Sequence, residues 1–326
     1  MSDAAVGFVA IGRNEGERLI ACLRSLPASG AGDMVYVDSG STDDSAAAAA
    51  HLGARVVALD MTIPFTAARA RNAGARQLID DKAPRYIQFI DGDCVLADGW
   101  ITRARAFLDS HPDVAVACGR RRERFPEKSL YNRLCDLEWE TPVGEALACG
   151  GDALIRVEAL IDAGFYNDGL VAGEEPELCV RLRARGCKIW RLDEEMTVHD
   201  AAMTKFSQWW TRAKRAGHAY AEVSALHRGS PQRIWARETR RALLWSAIAP
   251  LSLFSALFFG PAFLAPLALY PAQMLRLYFS SRQRLGDLAA PWAALTVLGK
   301  FAEAAGALKF HLGRLQGRKS GLFEYK

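Results

Sequence analysis

The sequence predicts an α/β fold, in which a mostly parallel sheet is flanked by helices, followed by a C-terminal helical membrane region. Three observations support this prediction. Short apolar runs without polar alternation are each followed by a helical pattern, as is typical of strands buried on both faces of a parallel sheet. Polar and acidic residues follow these runs, at the strand ends where such sheets bind ligands. Finally, no charged side chain occurs from Ala242 to Leu275.

The first part of the chain contains four successive strand–helix units. The predicted strands and the helices that follow them are 6–11 with 17–26, 34–37 with 43–52, 55–59 with 66–79, and 86–90 with 99–108. No Gly-x-Gly-x-x-Gly follows the first strand, and no Gly-x-x-x-x-Gly-Lys-Ser/Thr occurs in the chain. Dinucleotide-binding and P-loop sites therefore lose their main support.

Composition narrows the class of protein. Half of the 326 residues are hydrophobic, 24% are charged, and the net charge of +4 is too small to favour nucleic acid as a partner. The seven cysteines include no Cys-x-x-Cys pair, so a zinc–thiolate site is not expected, and scattered thiols suit the cytoplasm. The N-terminus has no pattern of a secretory signal.

The C-terminal third has the composition of a membrane-associated region. Residues 205–241 are basic and aromatic, so we expect amphipathic helices at a membrane interface. One straight helix over the uncharged run would measure about 50 Å, well beyond a hydrocarbon core of about 30 Å. We therefore predict a transmembrane or re-entrant hairpin over 242–279 that bends at Gly260–Pro261, then an amphipathic helix and tail over 280–326. A buried hairpin of a soluble protein is the alternative.

Arginines flank the uncharged run on both sides, at 233–241 and at 276–284. By the positive-inside rule, both flanks lie on the cytoplasmic face of a membrane, which in a bacterium is the inner membrane.

The triplet Asp91-Gly92-Asp93 directly follows the fourth predicted strand. Two carboxylates two residues apart, just past a strand end, can hold Mg²⁺ or Mn²⁺ against a diphosphate, because these cations prefer oxygen ligands. The same triplet is also ordinary turn chemistry. Its meaning therefore depends on the other motifs of the chain.

Six motifs in order resemble those of the inverting family 2 glycosyltransferases, which have a Rossmann-like GT-A fold. The resemblance covers roughly residues 5 to 200 and indicates a membrane-associated enzyme of polysaccharide or glycolipid biosynthesis. The motifs are Ala-Ile-Gly-Arg-Asn-Glu at 10–15, Val-Asp-Ser-Gly-Ser-Thr-Asp at 37–43, Ala-Arg-Asn-Ala-Gly at 70–74, Asp-Gly-Asp at 91–93, Gly-Gly-Asp-Ala-Leu-Ile-Arg at 150–156 and Gly-Glu-Glu-Pro-Glu-Leu-Cys at 173–179.

The resemblance implies roles for the residues that match these motifs. For the donor, it implies nucleoside contacts by Asn14, Glu15 and Asp38, a position near the base or diphosphate for Arg71, and a ribose or sugar contact for Asp91. For the metal, Mg²⁺ or Mn²⁺, it implies that Asp93 is a ligand and that His199 is a further ligand of the metal or the diphosphate. Asp200, the next residue, is available to orient the imidazole ring. For the acceptor, it implies the loop of Gly150, Gly151 and Asp152.

Inverting transfer needs one base that takes the proton of the acceptor hydroxyl. Glu175 is the predicted base and Glu174 the competing assignment, although both also suit the first turn of a helix as electrostatic caps. The family usually has Asp at this position. Because Glu is longer by one methylene, we expect its backbone to lie slightly farther from the acceptor than that of an Asp.

The expected function is transfer of a single sugar from a nucleotide-diphosphate donor, a UDP-sugar, to a lipid-linked acceptor. The acceptor would be a polyprenyl-diphosphate glycan or a glycolipid, because the hairpin would hold the site at a membrane. Single transfer is favoured because Gln208-Trp209-Trp210-Thr211-Arg212 does not match the Gln-x-x-Arg-Trp motif of processive synthases. Residues 1–204 would form the catalytic domain, with a nucleotide-sugar half to about 95 and an acceptor half over 96–204.

Two other functions remain open at this stage. Asp91 and Asp93 also fit the Asp-x-Asp-x-Val motif of a haloacid-dehalogenase-like phosphatase, although that motif normally follows the first strand and here follows the fourth. A non-catalytic, membrane-tethered binder of nucleotide sugars is the second alternative.

Overall fold

A computed structural model describes residues 6–26 and 34–317 of the chain. The chain divides into two compact units, Met1–Ala202 and Met203–Lys326. The first is α/β and the second is helical.

The four predicted strand–helix units are present in the first unit. The strands are β1 (Val6–Gly12), β2 (Met34–Asp38), β3 (Arg55–Ala58) and β4 (Tyr86–Asp91), and the helices are α1 (Glu17–Ser25), α2 (Ser45–His51), α3 (Ala67–Lys82) and α4 (Trp100–Ser110). All four strands are parallel, in the order β3-β2-β1-β4. Their register aligns Gly12 with Asp38 and Ile11 with Asp91, so the polar strand ends share one edge of the sheet.

Helix α3 lies directly on β1 and β2. Thr66 caps its N-terminus, accepting a hydrogen bond from the backbone N–H of Arg69 at 3.1 Å. A Cβ at Gly74 would lie only 2.5 Å from Cγ1 of Val9. The glycine of the Ala-Arg-Asn-Ala-Gly motif therefore permits this close packing, which fixes the position of Arg71 one turn earlier.

The rest of the sheet is mixed. It contains β5 (Cys94–Leu96), β6 (Val114–Glu123), β7 (Gly144–Ala146), β8 (Ala153–Arg156) and β9 (Lys188–His199), accompanied by the helices α5 (Leu130–Glu138), α6 (Val157–Asp162) and α7 (Glu174–Ala184). Strand β8 is antiparallel to β4 and β6, β6 is parallel to β9, and β5 and β7 are antiparallel to β9. The α/β class is thus confirmed, with the parallel arrangement continuous in the first four strands.

The pairing of β9 brings distant residues to the site. His199 lies opposite Cys94 of β5 on one side and opposite Glu123 of β6 on the other, and Thr197 lies opposite Arg121. The end of β9 is therefore adjacent to the Asp-Gly-Asp turn.

The second unit contains four helices within the described residues. They are α8 (Phe206–Leu226), α9 (Ala236–Phe259), α10 (Leu269–Leu285) and α11 (Ala289–Leu315). Helix α9 ends before Gly260, whose φ of 104° suits glycine, and a 3₁₀ segment over Pro261–Ala268 leads into α10. The chain then folds back, because the hydroxyl of Tyr270 donates to the carbonyl of Trp245 at 2.8 Å.

Helices α8 and α11 pack unusually closely. A Cβ at Gly217 would lie 2.0 Å from the carbonyl oxygen of Glu303, and one at Gly306 would lie 1.9 Å from that of Lys214. Gln208 caps α8, where its side-chain oxygen accepts from the backbone N–H groups of Thr204 and Lys205.

Of the helices that the structure describes, α9 alone is long and apolar enough to cross a membrane, a criterion of length and composition only. Half of its 24 residues are exposed and three are buried. Large exposed apolar residues continue from α9 through the 3₁₀ segment into α10; they include Leu251, Phe254, Leu257, Phe258, Phe259, Phe263, Leu269, Leu275 and Phe279.

Candidate active site

Arg71 connects two of the predicted motifs. Its side chain is buried, with Nη2 2.7 Å from Oδ1 of Asp91 and Nη1 2.6 Å from Oε1 of Glu174. Burial lowers the pKa of Arg71, but the two carboxylates outweigh this effect and raise it above its ordinary value. The guanidinium thus stays charged and joins the end of β4 to the first turn of α7.

Glu174 and Glu175 occupy different environments, although they are neighbours in sequence. Glu174 is buried on Arg71, whereas Glu175 is half-buried and its side chain forms no hydrogen bond or ion pair within residues 6–26 and 34–317. Burial of its carboxyl and the charge of Glu174 raise the pKa of Glu175 to about 7. A carboxyl with this pKa can accept a proton near neutral pH.

Arg121 and Asp152 form a second ion pair beside Asp91. Nη2 of Arg121 lies 2.6 Å from Oδ2 of Asp152 and 3.4 Å from Oδ2 of Asp91. Asp152 is fully buried, and its oxygens also accept from the backbone N–H of Asp91 at 3.0 Å and the hydroxyl of Thr197 at 2.7 Å. The carboxylate of Asp152 therefore has no exposed surface and holds Asp91 and Arg121 in place.

Gly151 lies against the same charged group. A Cβ at this position would be 2.9 Å from Nη2 of Arg71 and 3.1 Å from Oδ2 of Asp91. The preceding Gly150 has a φ of 80°, which favours glycine, and a Cβ there would meet no atom within 4 Å. The structure thus brings the predicted acceptor loop to Asp91 and Arg71.

Asp93 and His199 are also brought together. Nε2 of His199 lies 3.3 Å from Oδ2 of Asp93, and both side chains are buried. Burial and the positive charge of Arg121 lower the pKa of His199 to about 4, so the ring is neutral at physiological pH. Oε2 of Glu123 lies 3.9 Å from Nδ1 of His199, whereas the carboxylate of Asp200 accepts from the backbone N–H of Ala202.

Asp93, Cys94 and His199 each offer a ligand atom within 4.8 Å of the others. Burial raises the pKa of the Cys94 thiol well above its ordinary value, so this thiol is a poor ligand. The carboxylate of Asp93 and the lone pair of a neutral imidazole are the donors that remain. They fit a divalent cation whose other ligands are oxygens.

The two loops after β1 and β2 are tied to each other. Oδ1 of Asn14 accepts from the backbone N–H of Thr42 at 2.7 Å, and the backbone N–H of Asn14 donates to the hydroxyl of Ser41 at 2.9 Å. Oδ2 of Asp38 accepts from the N–H groups of Gly40 and Ser41. The side chain of Glu15 pairs with Arg18 at 2.7 Å. Asn14 and Asp38 thus shape this edge of the sheet.

Asn72, the neighbour of Arg71, holds the segment that leads to α7. Its amide accepts from the backbone N–H of Tyr166 and donates to the carboxylate of Asp168 at 2.6 Å. Thr66 donates to the carbonyl of Asp168 at 2.9 Å. Helix α3 and its N-cap therefore hold residues 166–168 of the segment that leads to Glu174 and Glu175.

Sequence motifs did not identify Arg121, Glu123 or Thr197 as parts of the site. The only local signal is the run of three arginines at 120–122, which resembles a solvated charged face. Their contribution depends on the long-range pairing of β6 with β9.

Comparison with known proteins identifies a family domain in the first part of the chain. The model of the family "Glycosyl transferase family 2" matches residues 9–160, the stretch that contains β1 to β4 and the Asp-Gly-Asp turn. The chain contains a glycosyl transferase family 2 domain. This assignment removes the basis of the phosphatase alternative, which relied on the Asp-Gly-Asp triplet alone.

Solved structures show that this domain has the GT-A fold. Mannosyltransferase PcManGT from Pyrobaculum calidifontis, in complex with GDP-Man and Mn²⁺, superposes with a TM-score of 0.62 at 17% identity, covering 93% of this chain and 87% of that one. TarS 1-349 from S. aureus gives a TM-score of 0.51 at 13% identity, covering 96% and 92%. Its complex with UDP-GlcNAc gives 0.50 at 14% identity, with the same coverage. A search of curated proteins found no match.

Proposed function

We propose that this chain is a metal-dependent inverting glycosyltransferase that moves one sugar from a UDP-sugar to a lipid-linked acceptor. The contacts of Arg71 with both Asp91 and Glu174 carry the proposal. They bring the end of β4, where a donor diphosphate would bind, next to the turn that carries the candidate base. A transferase needs both functions in one site, because the attacking hydroxyl and the leaving group act on the same carbon.

Asp93 and His199 would hold Mg²⁺ or Mn²⁺. When bound, the cation would supply charge neutralisation for the departing nucleoside diphosphate. The complex of PcManGT with GDP-Man and Mn²⁺ supports a metal requirement, and that of TarS with UDP-GlcNAc supports a uridine donor. Within this chain, Glu123 would keep the imidazole of His199 oriented from the Nδ1 side.

The nucleoside would bind at the loops that follow β1 and β2. Asn14 and Glu15 lie in the first loop and Asp38 at the start of the second, and hydrogen bonds between these loops pre-organise them. The carboxylate of Asp91 would contact the ribose or the donor sugar. Arg71 would act mainly by holding Asp91 and Glu174 in place while adding positive charge near the diphosphate.

Glu175 would act as the general base. Its carboxylate takes the proton of the acceptor hydroxyl as that oxygen forms its bond to the anomeric carbon, while the bond from this carbon to the diphosphate breaks on the opposite face. One such displacement inverts the anomeric configuration. Glu174 is engaged by Arg71, so we assign it a positioning role.

Gly150 and Gly151 would line the part of the site that binds the acceptor. Asp152, which is buried, would hold Asp91 and Arg121 in position. A lipid-linked acceptor, either a polyprenyl-diphosphate glycan or a glycolipid, is supported by the exposed apolar residues of α9 and α10. The arginines at 237, 240 and 241 suit anionic lipid headgroups. These features favour the cytoplasmic face of a membrane.

The test is a donor panel with the purified full chain in detergent, Mn²⁺ and a lipid extract, in which the released nucleoside diphosphate is identified. We expect UDP release that depends on lipid and metal, and its loss in Asp93→Ala and Glu175→Gln. Asp98→Asn, an exposed carboxylate in the same unit, is the matched control. Full transfer by the first two variants would refute the site, and metal-dependent phosphate release from phosphate esters without sugar transfer would restore the phosphatase hypothesis.

A further inference from the structure

Two of the seven free cysteines lie in contact beside the candidate acceptor loop. The Sγ atoms of Cys149 and Cys179 are 3.7 Å apart. Cys149 directly precedes Gly150, and its thiol donates to the carbonyl of that residue at 3.3 Å. Cys179 lies on α7, one turn after Glu175 and on the same face of the helix. The pair thus connects the glycine loop to the helix of the candidate base.

We propose that Cys149 and Cys179 form a disulfide under oxidation and that this disulfide blocks sugar transfer. The first part needs only the geometry of the two thiols, whereas the block rests on the proposed function. Hydrogen peroxide is the oxidant that the proposal requires. Cys149 is partly exposed and Cys179 is buried, so Cys149 would meet the oxidant first.

The reaction balances in two steps. The Cys149 sulfur attacks the peroxide, the O–O bond breaks, and sulfenic acid and water form. The Cys179 sulfur then attacks the Cys149 sulfur and displaces a second water as the disulfide forms. The hydrogen bond between the two thiols, together with burial, raises the pKa of Cys149 well above its ordinary value, so we expect oxidation to accelerate as pH rises.

Bond formation must move the loop. A disulfide holds its sulfurs about 2.05 Å apart, so the two atoms must approach each other from 3.7 Å. The adjoining Gly151 already lies against Arg71 and Asp91, with no room for a Cβ. A shift of about 1 Å at a reacting site can lower the rate roughly 100-fold.

The test treats the reduced full chain with hydrogen peroxide in detergent, alkylates the remaining thiols and maps the peptides by mass spectrometry. We expect a cross-linked peptide joining residues 149 and 179, and a large loss of UDP release that dithiothreitol reverses. Cys149→Ser and Cys179→Ala should show neither effect. Cys187→Ser, which removes a partly buried thiol elsewhere, should behave as the parent chain.

If Cys149 is alkylated or oxidised but no cross-link forms, the proposed disulfide is refuted. If the cross-linked enzyme turns over at an unchanged rate, the proposed inhibition of sugar transfer is refuted. If the reduced chain transfers no sugar from any donor, the proposed function fails, and with it the block. Peptide mapping then still decides whether the disulfide forms.

Discussion

Arg71 and Glu174 form a buried ion pair that joins helix α3 to the first turn of α7, with Nη1 2.6 Å from Oε1. Asp91 completes the group on the other side of the guanidinium. Removing one member of a buried charged group leaves the others uncompensated in a poorly solvated position. The stability of the catalytic unit should therefore depend strongly on this arginine.

Arg71→Met is expected to lower the free energy of unfolding by about 3–5 kcal/mol. Arg55→Met is the matched control, because Arg55 pairs with Asp81 at the surface, where such pairs contribute about 0–1 kcal/mol. Urea unfolding of each full-length variant in detergent, monitored by alkylation of the fully buried Cys22, gives the two free energies of unfolding for comparison. Equal effects would show that the buried pair has no special structural importance.

Asp93→Asn should weaken Mn²⁺ binding and lower kcat/KM by roughly 100-fold or more, since even loss of an outer partner of a metal ligand costs about 10–100-fold. The amide keeps the shape of the side chain but removes its charge. Calorimetric titration with Mn²⁺ in the presence of UDP measures the affinity directly. Asp98→Asn should leave affinity and rate unchanged, and the assignment fails if the two variants bind Mn²⁺ equally well.

The rate of sugar transfer should rise with pH through about 7. Burial and Glu174 hold the pKa of Glu175 at about 7, so below this pH the base is protonated and inactive. The dependence of kcat/KM on pH tests this expectation. Glu175→Gln should lose roughly 10²–10⁴-fold in rate and also lose this ascending limb. A limb that persists in the variant would assign it to another group.

The same pKa has a consequence for stability. The pKa of Glu175 in the folded chain lies above the ordinary value of 4.5. The stabilisation that the protonated carboxyl gives to the folded state is therefore fully present below pH 4.5 and is lost as pH rises through about 7. Glu175→Gln does not titrate. Relative to the parent chain, the melting temperature of the variant should therefore increase between about pH 5 and about pH 8. A constant difference across this range would contradict the environment described for Glu175.

The first four strands were predictable because each is a continuous apolar run, a signal that is local in sequence. Strands β5 to β9 lack this signal: β5 has three residues, and β6 ends in Arg-Arg-Arg-Glu. Their pairing depends on contacts between residues far apart in the chain, such as Glu123 with His199. The Asp-Gly-Asp turn was therefore visible in sequence, whereas the residues that support it were not.

The pair Glu174-Glu175 shows a related limit. Sequence leaves both as candidate bases, because either carboxylate suits the first turn of a helix. In the structure Arg71 forms its ion pair with Glu174, which supports our proposal that Glu175 is the base. Similarly, an acidic residue next to a Gly-Gly pair suggests an acceptor contact, but Asp152 is buried and holds Arg121.

Gly150→Ala and Gly151→Ala should differ in effect although the residues are adjacent. Alanine at 150 meets no atom but must adopt a φ of 80°, which costs about 1–2 kcal/mol of stability. Alanine at 151 would collide with Arg71 and Asp91 and so displace charged groups of the site. We expect the larger loss of kcat/KM in Gly151→Ala. Melting temperatures and steady-state kinetics of both variants test this, and a greater kinetic defect in Gly150→Ala would contradict it.

Membrane attachment should depend on the exposed apolar end of α9. Leu257 is 79% exposed and Phe258 63% exposed, and both lie within the candidate span. A carboxylate is strongly unfavourable in the hydrocarbon core, so the double variant Leu257→Asp, Phe258→Asp should shift the chain from the membrane fraction to the soluble fraction. Flotation with vesicles containing anionic lipids measures this shift. Ile161→Asp, at an exposed apolar position of α6, is the control and should float as the parent chain does. Unchanged flotation of the double variant would argue that α9 is covered by protein and not by lipid.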